Sequence, residues 1–380
     1  MNPFVYGEIT PLEAFVDGEV ELDRLAGDLM SGQKVFLISP RRFGKSSLIR
    51  QALRSSARRG LITAEVVVSS YSSYVAFLEG FARTLLAVET RLDRLSSWLK
   101  DLFTGVHPEV RLEAESSGAG RIAIAFPTVR TSKDEARLAE DVFALPARLA
   151  KMRKRRVAIA LDEFQAIGGF DGGRVEHALR AAIQRQRDVG YVFSGSEPTL
   201  MEQMLQRKRP FYKAGPVIRL GRVPHDRFAA FIEARFKRTG FRPEAGLGAA
   251  VVDLAGNLPY DVQRLAHETW DDVKVAGRRT VGLEDLHATL KRLLAEYDTL
   301  FEQAWQGLTL AQRATLRAVV LEDGRNLLAA DVRARYRLSG PSTVQAALGA
   351  LARQEILMRE GDRYVVVDSL MREWVARTTF

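Results

Sequence analysis

A single strand-to-helix transition limits the folds open to this chain. Val35-Phe36-Leu37-Ile38 is wholly apolar and runs into Ser39-Pro40-Arg41-Arg42-Phe43-Gly44-Lys45-Ser46-Ser47. After that turn Leu48, Ile49, Ala52 and Leu53 fall on one helical face. A short apolar run ending at a Ser-Pro turn reads as a buried parallel strand, and 46–59 reads as a helix. A loop in that position aims successive backbone N–H groups and the positive end of a helix at one point, a cradle for a polyphosphate. Gly44 lets the backbone approach closely, Lys45 reaches the β and γ phosphates, and Ser46 offers a hydroxyl to Mg²⁺. Ser39 stands where the common form of this loop has its first glycine.

Two further strand ends carry polar groups. Val157-Ala158-Ile159-Ala160-Leu161 ends in Asp162-Glu163. In a phosphate-transfer site the first carboxylate holds the metal's water shell. The second orients and deprotonates the attacking water. Tyr191-Val192-Phe193 ends in Ser194-Gly195-Ser196. A hydroxyl at that tip can sense a γ-phosphate, with Ser194 first and Ser196 second in order of preference.

The rest of the chain arranges itself around these pieces. Strands are expected at 62–68, 157–161, 191–194 and 217–220. Helices are expected at 77–99, 133–153 and 174–187. This alternation implies a parallel sheet with helices on both faces. Two alternating runs within 109–129 flank Ser116-Ser117-Gly118-Ala119-Gly120 and predict an inserted β-hairpin. Beyond Gly221 only helical periodicity remains, over 224–237, 245–254, 260–275 and 283–305. The tail reads helix, helix, helix, hairpin, the order of a winged helix, and is expected to fold alone from about Trp305. Three domains follow: an ATPase core over 1–221, a helical lid over 222–304 and a winged helix over 305–380.

Composition narrows the setting. The chain has no cysteine, so disulfides and thiolate metal sites are excluded. With 46% hydrophobic and 27% charged residues it reads as globular, and no apolar run is long enough to span a membrane. The N-terminus lacks the basic start of a signal peptide, which points to the cytoplasm. The 56 Lys and Arg against 47 Asp and Glu leave a net charge of +9, which favours anionic partners.

With the motifs in place, the chain resembles the archaeal-type ATPase family of the AAA+/STAND group. The resemblance is carried by Asn2-Pro3-Phe4-Val5-Tyr6-Gly7, Phe15-Val16-Asp17-Gly18-Glu19 and the loop Ser39 to Ser47. It continues through Leu161-Asp162-Glu163-Phe164-Gln165, Phe193-Ser194-Gly195-Ser196, Arg209-Pro210-Phe211-Tyr212 and Gly256-Asn257-Leu258-Pro259-Tyr260. It implies ATP and Mg²⁺ as ligands, an N-terminal segment beside the adenine, and a lid that closes through Gly256 and Pro259. It also implies that an arginine reaches a neighbour's γ-phosphate if the chain self-associates. Arg185, Arg187, Arg207 and Arg209 are the candidates. Gly18 replaces an arginine usual in this family, and Pro259 stands where other AAA+ proteins place a lid arginine.

These readings converge on a Mg-dependent ATPase acting as a nucleotide-driven switch. Its tail serves either duplex DNA or a protein partner. For DNA, the helix at 342–354 offers Ser342, Thr343, Gln345 and Arg353 to the major groove. Arg333, Arg335, Arg337, Arg359 and Arg363 would meet phosphates. The alternative is a signalling-type ATPase whose winged helix docks protein. The basic run Lys151 to Arg156 is either an anion patch or a solvated helix end.

Overall fold

The structure, a computed structural model, describes residues 1–7, 16, 18–87, 103, 109–114, 120–126, 129, 131–170 and 173–378. The chain divides into two compact units. One is Gly18–Gly221; the other joins Met1–Asp17 to Arg222–Phe380.

In the first unit the elements are α1 (Glu19–Met30), β1 (Lys34–Ile38), α2 (Lys45–Arg58), β2 (Ile62–Val67) and α3 (Tyr74–Leu86). The hairpin β3 (Glu109–Ala114) and β4 (Gly120–Ala125) follows. Then come α4 (Ser132–Arg153), β5 (Val157–Asp162), α5 (Arg174–Ile183), β6 (Val189–Gly195), α6 (Pro198–Met204) and β7 (Val217–Arg219). Five strands form one sheet in the order β2-β5-β6-β1-β7, and every pair is parallel. Strands β5 and β6 are buried along their whole length. Their unbroken apolar runs are what a strand covered on both faces requires. The expected hairpin is present, with Glu109 opposite Ala125 and Ala114 opposite Gly120. The helix expected over 77–99 starts earlier, at Tyr74, because Ser73 Oγ caps it by accepting from Ala76 N at 3.2 Å. It is helical to Leu86, and 88–102 lie outside the described residues.

Register decides what the strand ends can share. Ile38 is level with Gly195, and Leu161 with Phe193. The loop after β1, the carboxylates after Leu161 and the serines after Phe193 therefore emerge on one edge of the sheet. Beneath that edge sits a ring cluster. Phe193 lies 5.0 Å from Phe36, 4.7 Å from Phe164 and 5.5 Å from Phe211, measured between centroids. Phe164 follows Glu163 directly and Phe211 belongs to the Arg-Pro-Phe-Tyr motif, so one apolar cluster fixes three motifs. Helix α1 was not anticipated; Leu25, Ala26 and Leu29, all buried, give it a usable apolar stripe.

The second unit contains α7 (His225–Arg238), α8 (Leu247–Leu254), α9 (Pro259–Val275) and α10 (Leu283–Gln306). Two short strands, β8 (Arg242–Pro243) and β9 (Thr280–Val281), pair in parallel. Next are α11 (Leu310–Leu321), α12 (Ala330–Arg335), α13 (Pro341–Arg353), the antiparallel hairpin β10 (Leu357–Glu360) and β11 (Arg363–Val366), and α14 (Ser369–Thr378). The N-terminal segment, which the sequence reading groups with the ATPase core, packs here. Phe4 is buried against Phe236 at 4.9 Å, Tyr6 donates to Glu268 at 2.5 Å, and His267 Nδ1 donates to the Phe4 carbonyl at 2.7 Å.

The buried residues of the tail are continuous with those of the lid. Phe228, Trp270, Leu290, Phe301, Leu348 and Trp374 belong to one continuous cluster that runs through the lid helices and the winged helix. Helix α14, which the sequence reading did not include, is the fastener. Trp374 sits 6.2 Å from Phe301 and 6.1 Å from Trp305, and its Nε1 donates to Asp298 at 2.8 Å. Ser369 N donates to the buried Asp261 at 3.0 Å, and Arg372 donates to the Leu254 carbonyl at 3.0 Å. Arg222 donates to Glu360 at 2.6 Å and also to the Gly256 carbonyl. Cutting the chain at 305 would remove Phe301, Asp298, Asp261 and Leu254 and uncover part of the Trp374 face. A fragment of residues 305–380 is therefore expected to melt without a cooperative transition, whereas the full chain melts cooperatively. Circular dichroism against temperature checks this, and a sharp fragment transition would show that the tail holds itself together.

Candidate nucleotide site

Helix α2 begins at Lys45, and the residue before it, Gly44, has φ 84°. Only glycine adopts that left-handed conformation without cost, and here it turns the loop back over the helix N-terminus. Arg42 shares the conformation at φ 69°. Ser39 is fully buried, with its backbone N donating to the Gly195 carbonyl at 3.3 Å. That bond stitches the loop's start to β6. Ser39 is absent from the left-handed positions, so a glycine is not required there by backbone conformation. Phe43 and Ser47 are buried, while Pro40, Arg42 and Ser46 are half-buried and Arg41 is exposed.

The three strand ends meet around the Lys45 ammonium. It lies 2.9 Å from Asp162 Oδ1 and 3.0 Å from Glu163 Oε1, and only 6% of the side chain is exposed. Asp162 Oδ1 also accepts from Ser194 Oγ at 2.6 Å and from Glu163 N at 2.9 Å. With Oδ1 committed in this way, Oδ2 turns toward Ser46 Oγ at 3.3 Å. Glu163 has φ 51°, an uncommon conformation for a residue with a side chain. Its carboxylate is fully engaged: Oε1 by Lys45, and Oε2 by Ser196 Oγ and Gln165 Nε2, both at 2.6 Å. Burial raises this carboxyl's pKa, but the bond from Ser196, the Lys45 charge and the bond from Gln165 outweigh it and hold it below the usual carboxylate range.

A divalent ion fits this donor set. Ser46 Oγ and Asp162 Oδ2 stand side by side beside the cradle, one hydroxyl and one carboxylate oxygen. Mg²⁺ bound with a nucleotide commonly takes that pair from the protein and completes its shell with water and phosphate oxygens. Among the described residues there is no cluster of three or more His, Asp or Glu able to hold a metal alone.

The sequence motifs Ser39 to Ser47, Asp162, Glu163, Ser194 and Ser196 are thus brought together. Gln165 was missed as a site residue, although it stands two positions after Glu163 in a quoted motif. Gly256 and Pro259 belong to the other unit, where Gly256 has φ 61° and Pro259 opens α9. The arginines separate. Arg185 and Arg187 precede β6 and so lie at the opposite edge of the sheet from the site. Arg209 is held in place by the buried Glu176 at 2.7 Å. Burial pushes the Glu176 carboxyl up against the pull of Arg209 and His177. Within the basic run, Arg155 donates to the Gly60 carbonyl at 2.7 Å and to the Leu61 carbonyl at 3.2 Å, so this side chain is spent on the turn between α2 and β2 rather than on an anion patch.

The sheet, its strand order and the helical second unit define the class: a P-loop ATPase fold of the AAA+ type followed by a winged helix domain. Residues 299–377 match the family model described as a probable winged helix domain. Solved structures with this fold include a Walker-type ATPase of Pyrococcus abyssi. It is 16% identical with a TM-score of 0.65, over 98% of this chain and 99% of that one. The Aeropyrum pernix ORC2 protein, in ADPNP–ADP complexes, is 13% identical with a TM-score of 0.56, over 99% and 96%. The ORC1 protein of Aeropyrum pernix, in complex with DNA, is 14% identical with a TM-score of 0.52, over 96% and 94%. A search of the curated proteins finds no match. No helix among the described residues is long and apolar enough to cross a membrane.

The Glu176 pair separates two of the finger candidates. Arg209→Ala strips a buried carboxyl of its partner and is expected to cost about 1–3 kcal/mol. Arg207→Ala, on an exposed side chain, should leave the melting temperature close to that of the parent. Differential scanning calorimetry of both variants checks this; equal melting temperatures would count against a structural role for Arg209.

Proposed function

We propose that this protein binds Mg-ATP through Ser39 to Ser47 and hydrolyses it, using the nucleotide state as a switch. The observation that carries this reading is the cluster of buried Lys45 and Asp162 with half-buried Glu163 at a helix N-terminus. Lys45 supplies the main cation to the β and γ phosphates, and the N–H groups of the loop take the remaining phosphate oxygens. Ser46 and Asp162 would hold Mg²⁺, which supplies charge neutralisation across those phosphates. Glu163 accepts a proton from water as the water oxygen bonds to the γ-phosphorus. The bond to the bridging oxygen breaks, and its electron pair leaves with ADP. Ser194, bonded to Asp162, sits where a change at the metal carboxylate would be felt along β6. Gly256 and Pro259 are the lid positions proposed to close over the nucleotide.

For the winged helix, a specific observation favours a protein partner over DNA. Among the cations expected to meet phosphates, Arg335 is paired with Glu322 at 2.6 Å. Arg363 is paired with Asp323 at 2.8 Å and Glu360 at 2.9 Å. Arg333 and Arg359 each donate to a backbone carbonyl at 3.1 Å. The exposed positions of α13 are Pro341, Ser342, Thr343, Gln345, Ala346 and Arg353, which include few side chains long enough to read base edges.

Two variants divide binding from chemistry. Lys45→Ala is expected to weaken ATP binding at least tenfold, about 1.4 kcal/mol, by isothermal titration calorimetry. Glu163→Gln should keep binding and lose hydrolysis by ~10²–10⁴ in a phosphate-release assay. Unchanged affinity in the first, or turnover within threefold of the parent in the second, would overturn these roles. For the tail, fluorescence anisotropy of labelled duplex with the full chain is expected to show weak binding at low salt that vanishes at physiological salt. Binding that survives higher salt would restore the DNA reading.

A further inference from the structure

We propose that Ser196 and Gln165 are positioning residues for Glu163. They fix one carboxylate oxygen so that the other is presented to the attacking water. The inference rests on the ATPase reading above and deepens it.

The two oxygens of Glu163 are held in different ways. Oε1 is held by the Lys45 ammonium, the group that a bound triphosphate draws to itself. Oε2 is held by Ser196 Oγ and Gln165 Nε2, each at 2.6 Å, and neither belongs to the phosphate loop. Nucleotide binding therefore competes for the Oε1 contact and leaves both Oε2 contacts standing. Ser196 faces the carboxylate rather than serving as a free γ-phosphate reader.

The surroundings show that the Gln165 amide is oriented for this purpose. Its nitrogen lies between two carboxylates, Glu163 at 2.6 Å and Glu197 at 3.4 Å, so the NH₂ end must face them. That leaves Gln165 Oε1 buried without a hydrogen-bond partner, a costly arrangement. The oxygen packs instead over the bare Cα of Gly195: a Cβ built there would meet Gln165 Oε1 at 2.6 Å and Met201 Cγ at 2.3 Å. Gly195 is thus the space that lets Gln165 turn its donor toward Glu163. Glu163 itself stands at φ 51°, and its N–H donates to Asp162 Oδ1 at 2.9 Å, which holds the peptide plane before it. With the backbone set and Oε2 anchored, the carboxylate keeps little freedom. A free glutamate would spread over several rotamers and point at water only part of the time.

The test is steady-state ATP hydrolysis, with nucleotide affinity and melting temperature measured alongside. Ser196→Ala and Gln165→Ala are each expected to lower kcat about tenfold to a hundredfold, the size of one hydrogen bond to a charged group. KM and ATP affinity should stay within about threefold. Ser196→Thr restores the hydroxyl and should recover most of the lost kcat. Gly195→Ala should reproduce the Gln165→Ala loss by displacing the amide. The double variant Ser196→Ala/Gln165→Ala should fall no further than Glu163→Gln, because all three losses run through one carboxylate. If KM rises while kcat holds in Ser196→Ala, the serine reads phosphate and the inference is overturned. If both single variants turn over within threefold of a parent whose Glu163→Gln form is inactive, the inference fails and the ATPase reading survives. If the parent itself hydrolyses no ATP, both fall. A lowered melting temperature that Ser196→Thr corrects without recovering kcat would also count against positioning.

Discussion

Everything in the first unit is arranged around one buried ammonium. Lys45 is held within 3.0 Å of two carboxylates, in a place where an unpaired charge would be expensive. For the lysine to stand there, β1 must end beside β5 and β6, because the carboxylates come from the end of β5 and their hydroxyl partners from the end of β6. The parallel order β2-β5-β6-β1-β7 meets that requirement. The phenylalanine cluster under the strand ends keeps the edge rigid, and it does so with residues from the same motifs that carry the polar groups.

The two carboxylates obey one rule. Each has its two oxygens held by different partners, so the orientation of the group is set before a ligand arrives. Asp162 commits Oδ1 to Ser194, the Glu163 N–H and Lys45 and faces Ser46 with Oδ2. Glu163 commits Oε2 to Ser196 and Gln165 and faces Lys45 with Oε1. A carboxylate left to itself presents either oxygen. Pre-assigning them removes that ambiguity before any ligand arrives, which is how a site lowers the reorganisation its chemistry would otherwise need.

In the second unit the comparable device is mechanical. Arg222, Asp261, Asp298 and Arg372 tie the lid helices to the wing hairpin and to α14, and the apolar cluster is continuous across them. Lid and winged helix therefore share one folding unit. A partner bound at α13 and a change in α9 would act on the same packed body, since close-packed cores shift as blocks rather than deform continuously.

The sequence alone determined the local elements and the chemistry they bring. An apolar run followed by Gly44-Lys45-Ser46, and another ended by Asp162-Glu163, specify a strand-loop-helix and a strand-end acid pair from nearest neighbours in the chain. Helical periodicity placed the lid helices and the tail helices before the hairpin to within a few residues for the same reason. Tertiary structure alone decided which of those residues face one another. That Gln165 and Ser196 hold the same oxygen of Glu163 depends on the register of β5 against β6, and Gln165's orientation depends on a missing Cβ at Gly195, thirty positions away. That Arg209 is bound to Glu176, and that Phe4 sits against Phe236, likewise follow from contacts between distant segments. The tail's ties to the lid come from Trp374 on Phe301 and Asp298 and from Ser369 on Asp261, contacts that cross the boundary drawn from the sequence. Periodicity reports which face of an element is apolar. It carries no information about which other apolar face will cover it, because burial is non-directional and the partner is chosen by the packing of the whole unit.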